Sequence, residues 1–389
     1  MKVNEILVGS KKRKSRNNRK HRITQKDLYQ TNLKENARIQ HLEDLILRDG
    51  VAGGKKAIST LHQVEQNPGS VTIKWDGRPA IVFGRNEKGE FVLTDKSGFG
   101  AVKYNGRVTS SKGLEDMIVN RNPDNADFAK TMGGIWSKVE STVPAQFRGY
   151  VIGDLLWMSK PTEENNKITI MPNTTKYEVV ANSDIGKKIL ASEVGVVIHK
   201  AIGLDGTTSN VDMGQFQQGA TMIMPPVTVS KSPGVDLPQV DELENYLTQN
   251  AKAIDDLFNV PADLKMKNFG DILYQYINAS VKNKSLDNLG ANFVQWVEGS
   301  NLSAPKKERL LDYVNTKAKG FNATFSFIKG IKNIKNKVID LLDKQKADIQ
   351  AVKDGEGYVV DKDVKLVNRS TFSQANFARN NPWAKKNIH

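Results

Sequence analysis

Apolar residues follow two rhythms along this chain, and the change between them marks out its parts. Residues 237–347 read as helix throughout. Val240, Leu243, Leu247, Ile254 and Leu257 form one stripe at helical spacing, and Phe321, Phe325, Ile328, Ile331, Ile334, Val338 and Leu341 form another. Pro233-Gly234, Pro261 and Pro305 punctuate this block. Upstream the pattern is that of strands. Residues 71–100 set Val, Ile and Phe on both sides of an Asn86-Glu87-Lys88-Gly89 turn, which predicts two antiparallel strands in a hairpin. Residues 149–157 form one apolar strand, and residues 169–200 form two or three more around a short helical turn at 183–190. Between them, Leu114, Met117 and Ile118, then Phe128, Met132, Ile135 and Val139, predict one or two amphipathic helices over 112–142. Near the start, Leu28, Leu33, Ile39, Leu42, Leu45 and Leu47 approximate a helix over 25–48 with Gly50 as its C-cap, and a second helix over 55–66 ends at Asn67-Pro68-Gly69. Hydrophobic strands return at 354–360 and 364–369. The expected fold class is α+β: an N-terminal arm and helix (1–50), an antiparallel-sheet core in two parts (51–235 and 350–389, the latter with a C-terminal tail), and an inserted all-α subdomain (236–349).

Charge adds a partner class to this outline. The chain has 57 Lys and Arg against 43 Asp and Glu, a formal net charge of +14, and such an excess favours polyanions through phosphate contacts and counterion release. Residues 11–22, KKRKSRNNRKHR, hold eight of these cations and no acid, which suits either a phosphate-touching arm or a solvated tail. Residues 301–350 hold eleven cations against five acids, so the last helices present a basic surface, with Lys332, Lys335 and Lys337 as a nucleic-acid grip or a solvated face. Cysteine is absent, which excludes disulfides, Cys-ligated zinc and a cysteine nucleophile. No run approaches the ~18 apolar residues of a membrane span, and no secretory signal is visible, so the expectation is a cytoplasmic monomer with no membrane partner.

Candidate chemistry sits on the strands. Lys74 lies at a strand end beside a turn, within Lys74-Trp75-Asp76-Gly77-Arg78. A free lysine, with a pKa near ~10.4, is protonated at neutral pH, so a nucleophilic ε-amine needs a pocket that lowers this value. Asp154 interrupts one apolar strand, and Glu356 and Lys365 accompany two others. Charges set in such strands need a partner or a role.

Taken together, Lys74-x-Asp76-Gly77, the strand acid Asp154, Glu356-Gly357-Tyr358-Val359-Val360 and the strand lysine Lys365 resemble motifs I, III, IV and V of the covalent nucleotidyltransferases. That superfamily contains ATP-dependent DNA ligases, RNA ligases and mRNA-capping guanylyltransferases, and some ligases of tailed bacteriophages diverge comparably. Thr94-Asp95-Lys96-Ser97-Gly98 resembles motif Ia, with Lys96 in place of an arginine. The resemblance implies an ATP-grasp-like ligase core in which Lys74 attacks the α-phosphate of ATP to give a lysyl-AMP. The AMP then passes to a 5′-phosphate end of DNA or RNA, and a 3′-hydroxyl displaces it to seal the strand. It implies Lys74 as nucleophile, with Glu356 as the acid that holds Mg²⁺ (or Mn²⁺). Asp76 would support the nucleophile or the metal's waters, and Asp154 would bind the ribose or orient Lys74 through water. Lys365 would contact the α-phosphate and repel the charged form of Lys74. Thr72 would meet the adenine edge, Tyr177 would stack on the purine, and Arg78, Lys96 and Arg369 would complete the nucleotide pocket. His199, which ends an apolar strand, is assigned no chemistry.

Some features depart from the family pattern. Arg78 directly follows the glycine, and Pro79 stands where ligases place an arginine; motif V offers Lys365-Leu366-Val367, so Arg369 is the candidate for its second cation. Asp154 and Glu356 are 202 residues apart, far more than in most ligases, and with twenty residues after Arg369 no C-terminal OB-fold is expected. The expected function is an ATP-dependent polynucleotide ligase. The alternatives are a capping-type guanylyltransferase and a non-catalytic nucleic-acid-binding or virion protein on the same fold.

Overall fold

The computed structural model describes residues 40–99, 108–173, 175–262, 269–283, 288–345, 349–351 and 357–369. The basic arm, Glu356 and the C-terminal tail after Arg369 lie outside the described residues.

In chain order the strands are β1 (Gln40–His41), β2 (Val71–Ile73), β3 (Ala80–Arg85), β4 (Phe91–Asp95), β5 (Gly149–Trp157), β6 (Glu163–Glu164), β7 (Lys167–Ile170), β8 (Tyr177–Val180), β9 (Val194–Ile202), β10 (Thr208–Ser209), β11 (Thr221–Met224), β12 (Ile349–Ala351), β13 (Tyr358–Val360) and β14 (Val364–Leu366). The α-helices are α1 (Leu45–Gln66), α2 (Lys96–Phe99), α3 (Ser111–Arg121), α4 (Ala126–Gly134), α5 (Trp136–Glu140), α6 (Asp184–Leu190), α7 (Leu237–Phe258), α8 (Phe269–Lys282), α9 (Leu289–Gly299), α10 (Ala304–Thr316) and α11 (Ala318–Asp343). The protein is α+β with three mainly antiparallel sheets. One runs β1-β14-β13-β2, the second β10-β9-β5-β3-β4 with β11 beside β9, and the third β12-β8-β7-β6. The parallel pairs are β1 with β14 and β11 with β9.

The predicted hairpin over 71–100 is there in part. β3 and β4 pair around the expected turn, closed by Gly89 N–H to Asn86 O at 3.0 Å with Gly89 at φ +81°, a conformation that favours glycine. The first strand, however, is two. β2 lies in one sheet and β3 in another, and residues 74–79 cross between them. Asp76, Gly77 and Pro79 fit a strand ladder poorly, and proline has no N–H to give it. The crossing stays tied to β5 instead, through Arg78 N–H to Leu155 O at 3.0 Å and Leu155 N–H to Pro79 O at 3.1 Å.

The helical periodicity is carried through. Val240, Leu247, Ile254 and Leu257 of α7 are all fully buried, and so are Phe321, Phe325, Ile328, Ile331, Ile334 and Val338 of α11 within a few per cent, while Leu341 is half-buried and Leu342 takes the core position. Gly50, at φ +55°, breaks α1 as the C-cap reading anticipates, but the chain resumes helix at once and runs to Gln66.

The helices α7–α11 share one apolar core with Leu42, Leu45, Ile46, Ile58 and Leu61 near the N-terminus and with Val360, Val364 and Leu366 near the C-terminus. At its centre Lys335 of α11, 0% exposed, donates from Nζ to Glu43 Oε1 at 2.7 Å. Lys335 therefore belongs to the interior and not to a basic surface. A second core sits under β3, β4, β5 and β9 against α3–α5, a third around Trp75, Trp157 and Tyr177, and a small fourth gathers Val82, Val92, Phe99, Tyr150 and Ile202. Among the described residues no helix is long and apolar enough to cross a membrane.

Candidate functional site

Lys74 leaves the end of β2 where two sheets meet. Its backbone amide donates to Gly357 O at 2.9 Å, which continues the pairing of β2 with β13. On the other side, Gly77 brings the crossing segment against β5. A Cβ added there would lie 2.4 Å from Cβ of Asp154, so only glycine permits this approach. Asp154 is in register with Ala80 of β3 and Val197 of β9, in the middle of the second sheet.

The lysine is held in an environment that favours its neutral form. Burial lowers its pKa most; Asp154 pulls it back up, Lys365 pushes it down and Asp76 pulls it up, leaving it at about 8. The like-charge effect expected of Lys365 is thus one of the contributions, second to burial on the lowering side. Lys365 sits on β14 between His41 of β1 and Val359 of β13, whose other partner is Thr72 of β2. Burial and then Arg369 lower the pKa of Lys365 itself, and it makes no hydrogen bond or ion pair among the described residues. Lys96, at the start of α2, is half-buried; burial lowers its pKa and Asp154 opposes this. Lys74, Asp76, Asp154, Lys365 and Lys96 are therefore gathered into one electrostatic group.

Other expected site residues take different roles. Tyr177 does not offer a face to a purine: it is 1% exposed, its ring lies 4.7 Å from that of Trp75, and its hydroxyl accepts from Asp76 N–H at 2.8 Å. Its bulk fills the third core and its oxygen fixes the crossing segment. Thr72 is buried and donates to Val359 O at 3.2 Å, so its hydroxyl serves the sheet instead of an adenine edge. Arg369 does not stand in for a second motif V cation. Its Nη1 bonds both carboxylate oxygens of Asp44, at 2.7 and 2.9 Å, and its Nη2 donates to Asn278 Oδ1 at 2.7 Å. Asp76 accepts from Asn173 Nδ2 at 2.7 Å on Oδ1 and from Thr175 N–H at 2.8 Å on Oδ2, so its carboxylate anchors the loop leading to β8. Arg78 is exposed beside the crossing. The expected metal acid, Glu356, lies outside the described residues.

Two histidines stand beside the site: His199, to which the sequence reading assigned no chemistry, and His41, which it did not single out. His199 Nε2 lies 2.9 Å from Asp154 Oδ2. Gly153 pairs with Ile198 and Ile152 with Lys200, so His199 is the extra residue of a bulge in β9, a feature that re-aims side chains near sites. His41 stands in register with Lys365. Burial, then Arg369, Lys365, Lys335 and Lys74, hold it well below the usual imidazole range, so it is neutral at pH 7.

A half-buried lysine of lowered pKa between a strand carboxylate and a second strand lysine defines a candidate amine-nucleophile site on an α+β scaffold. The chain belongs to a family of unknown function, DUF6267, whose pattern matches residues 36–381. No curated protein and no solved structure matches it.

Proposed function

We propose that the protein is an ATP-dependent polynucleotide ligase built on a nucleotidyltransferase core of the ATP-grasp-like ligase type. The observation that carries this reading is Lys74 itself, with its pKa lowered to about 8 beside Asp154 and Lys365. At pH 7 roughly one such lysine in ten is neutral and able to attack, against fewer than about one in a thousand for an ordinary lysine. The order of the motif residues and the net charge of +14 support the same reading.

In this mechanism a bond forms between Nζ of Lys74 and the α-phosphorus of ATP while the bond to pyrophosphate breaks, and the amine proton passes to solvent. A 5′-phosphate oxygen then displaces the lysine, and a 3′-hydroxyl displaces AMP to join the strand. Lys365, with no acid paired to it among the described residues, is the cation placed to meet the developing phosphate charge. Lys96 and Asp154 would meet the nucleotide's ribose, with His199 Nε2 at 2.9 Å from one oxygen of Asp154. Mg²⁺ (or Mn²⁺) would supply further charge neutralisation. Asp76, whose two oxygens each accept one hydrogen bond, from Asn173 and from Thr175, would support the metal's waters through its remaining lone pairs.

The test is incubation with α-labelled ATP or GTP, followed by a joining assay on DNA nicks, RNA nicks and 5′-phosphorylated single strands. An acid-labile, alkali-stable AMP adduct that is absent in Lys74→Ala is the expected result. Labelling by GTP alone would overturn the ligase reading in favour of a guanylyltransferase, and labelling by neither would remove nucleotidyl transfer altogether.

A further inference from the structure

Away from that site, helices α1 and α7 lie side by side, and their contact is tightly packed. A Cβ on Gly54 would come within 2.9 Å of Leu247, and Leu61, Val64, Val240 and Leu247 are all 0% exposed. On the solvent edge of this seam three side chains converge. His62 projects from α1 next to Leu61, and Asp241 and Glu244 project from α7, three residues apart and so on one face. Their ligand atoms all lie within 4.8 Å of one another, with His62 Nε2 3.3 Å from Asp241 Oδ1.

We propose that His62, Asp241 and Glu244 form a divalent transition-metal site of the zinc class that clamps α1 to α7. Bonds of about 2.0–2.2 Å at tetrahedral angles place neighbouring ligand atoms about 3.4 Å apart, which the His62–Asp241 pair already matches. The Glu244 carboxylate oxygen, within 4.8 Å of the other two ligand atoms, draws closer to complete the third position. The donor set of one imidazole and two carboxylates suits zinc and its neighbours better than magnesium, which takes oxygen ligands and keeps its waters. Charge points the same way. In a chain with 57 Lys and Arg against 43 Asp and Glu, neither Asp241 nor Glu244 has a Lys or Arg ion pair among the described residues. Two carboxylates left together on a cationic protein are relieved by a cation that binds both. Because the packed seam fixes the helix spacing, the site is organised before the ion arrives. The clamp matters for position as well: α1 leads through a single 3₁₀ turn, Pro68–Ser70, into β2, which Lys74 directly follows.

This inference does not depend on the proposed ligase activity, and its test reads binding and stability. The full chain, stripped with chelator and dialysed, is titrated calorimetrically with Zn²⁺ and with Mg²⁺, and its thermal unfolding is followed with and without Zn²⁺. One equivalent of Zn²⁺ should bind and raise Tm, while Mg²⁺ at equal concentration should do neither. His62→Ala, and separately the pair Asp241→Asn with Glu244→Gln, should weaken Zn²⁺ binding at least ~10-fold and abolish the Tm gain. His199→Ala should bind as the wild type does. These side chains are at the surface, and unchanged far-UV circular dichroism of the metal-free variants separates lost binding from lost folding. Absence of Zn²⁺ binding at millimolar ion, wild-type affinity in His62→Ala, or binding that follows His199 would each overturn the site.

Discussion

The amide of Lys74 donates to the carbonyl of Gly357, the residue that directly follows Glu356. Ile73, Thr72 and Val71 then pair with Tyr358, Val359 and Val360, so two distant stretches of sequence form one short ribbon with the lysine at its end. The backbone from which the amine extends is thereby fixed at the junction of the two stretches.

The rate of covalent adduct formation should follow the neutral fraction of Lys74. With a pKa of about 8, the rate should rise about tenfold per pH unit below that value and level off above it. Single-turnover labelling with ATP across a pH series measures this. A profile still climbing tenfold per unit at pH 10 would mean that the lysine titrates as an ordinary surface group.

Asp154 and Lys365 should move that midpoint in opposite directions. Asp154 favours the charged lysine and Lys365 disfavours it. Asp154→Asn should shift the midpoint to lower pH, and Lys365→Met should shift it to higher pH. The reactivity of Lys74 toward a small amine-directed reagent reads this without any nucleotide. Shifts of the same sign in both variants would show that burial alone sets the value.

Lys74 should cost stability at neutral pH. Its folded pKa lies below its unfolded one, so between about 8 and 10.5 the unfolded chain binds more protons and stability rises with pH; below about 8 the full cost is present. Lys74→Met should therefore gain about 1–3 kcal/mol in urea unfolding at pH 7, and the gain should fade toward pH 10.5. A gain that does not change with pH would indicate a packing effect instead.

The ion pair of Lys335 with Glu43 should behave as an interior one. Lys335→Ala leaves a buried carboxylate without its partner and should cost about 3–5 kcal/mol, whereas Lys335→Met with Glu43→Gln should cost less. Lys337, exposed and bonded to Gln239, should tolerate alanine within about 0.5 kcal/mol. Equal, small effects at both lysines in denaturant titrations would contradict this assignment.

What the sequence disclosed follows from the range of the interactions involved. The stripes of α7 and α11 and the hairpin turn at Asn86–Gly89 are local patterns, and local patterns can be read one window at a time. Lys335 shows the limit. It stands among Ile331, Ile334, Val338 and Ile339 on the apolar face, a visible sign of burial, but its partner Glu43 lies near the other end of the chain. His199 was less accessible still, because a bulge changes which face a strand residue takes and periodicity alone does not reveal one. Tyr177 was read from its spacing after Asp154, whereas its place is set by Trp75 and the amide of Asp76. Thr72 and Arg369 were read through the motif as well, and each finds its partner across a tertiary contact. The gathering of Lys74, Asp154 and Lys365 could be anticipated because three strands carried single charges that required company.

The ribbon of β2 and β13 also sets a timetable. At about 5–20 residues per second, Tyr358–Val360 leaves the ribosome roughly 15–60 s after Val71–Ile73. Until then the edge of β2 has no partner on that side, the helices lack the C-terminal strands that complete their core, and Lys74 is an ordinary solvated amine. A nascent chain, or one halted before β13, carries Lys74 without the strand that pairs with β2, so the proposed nucleophile is assembled only with completion of the fold.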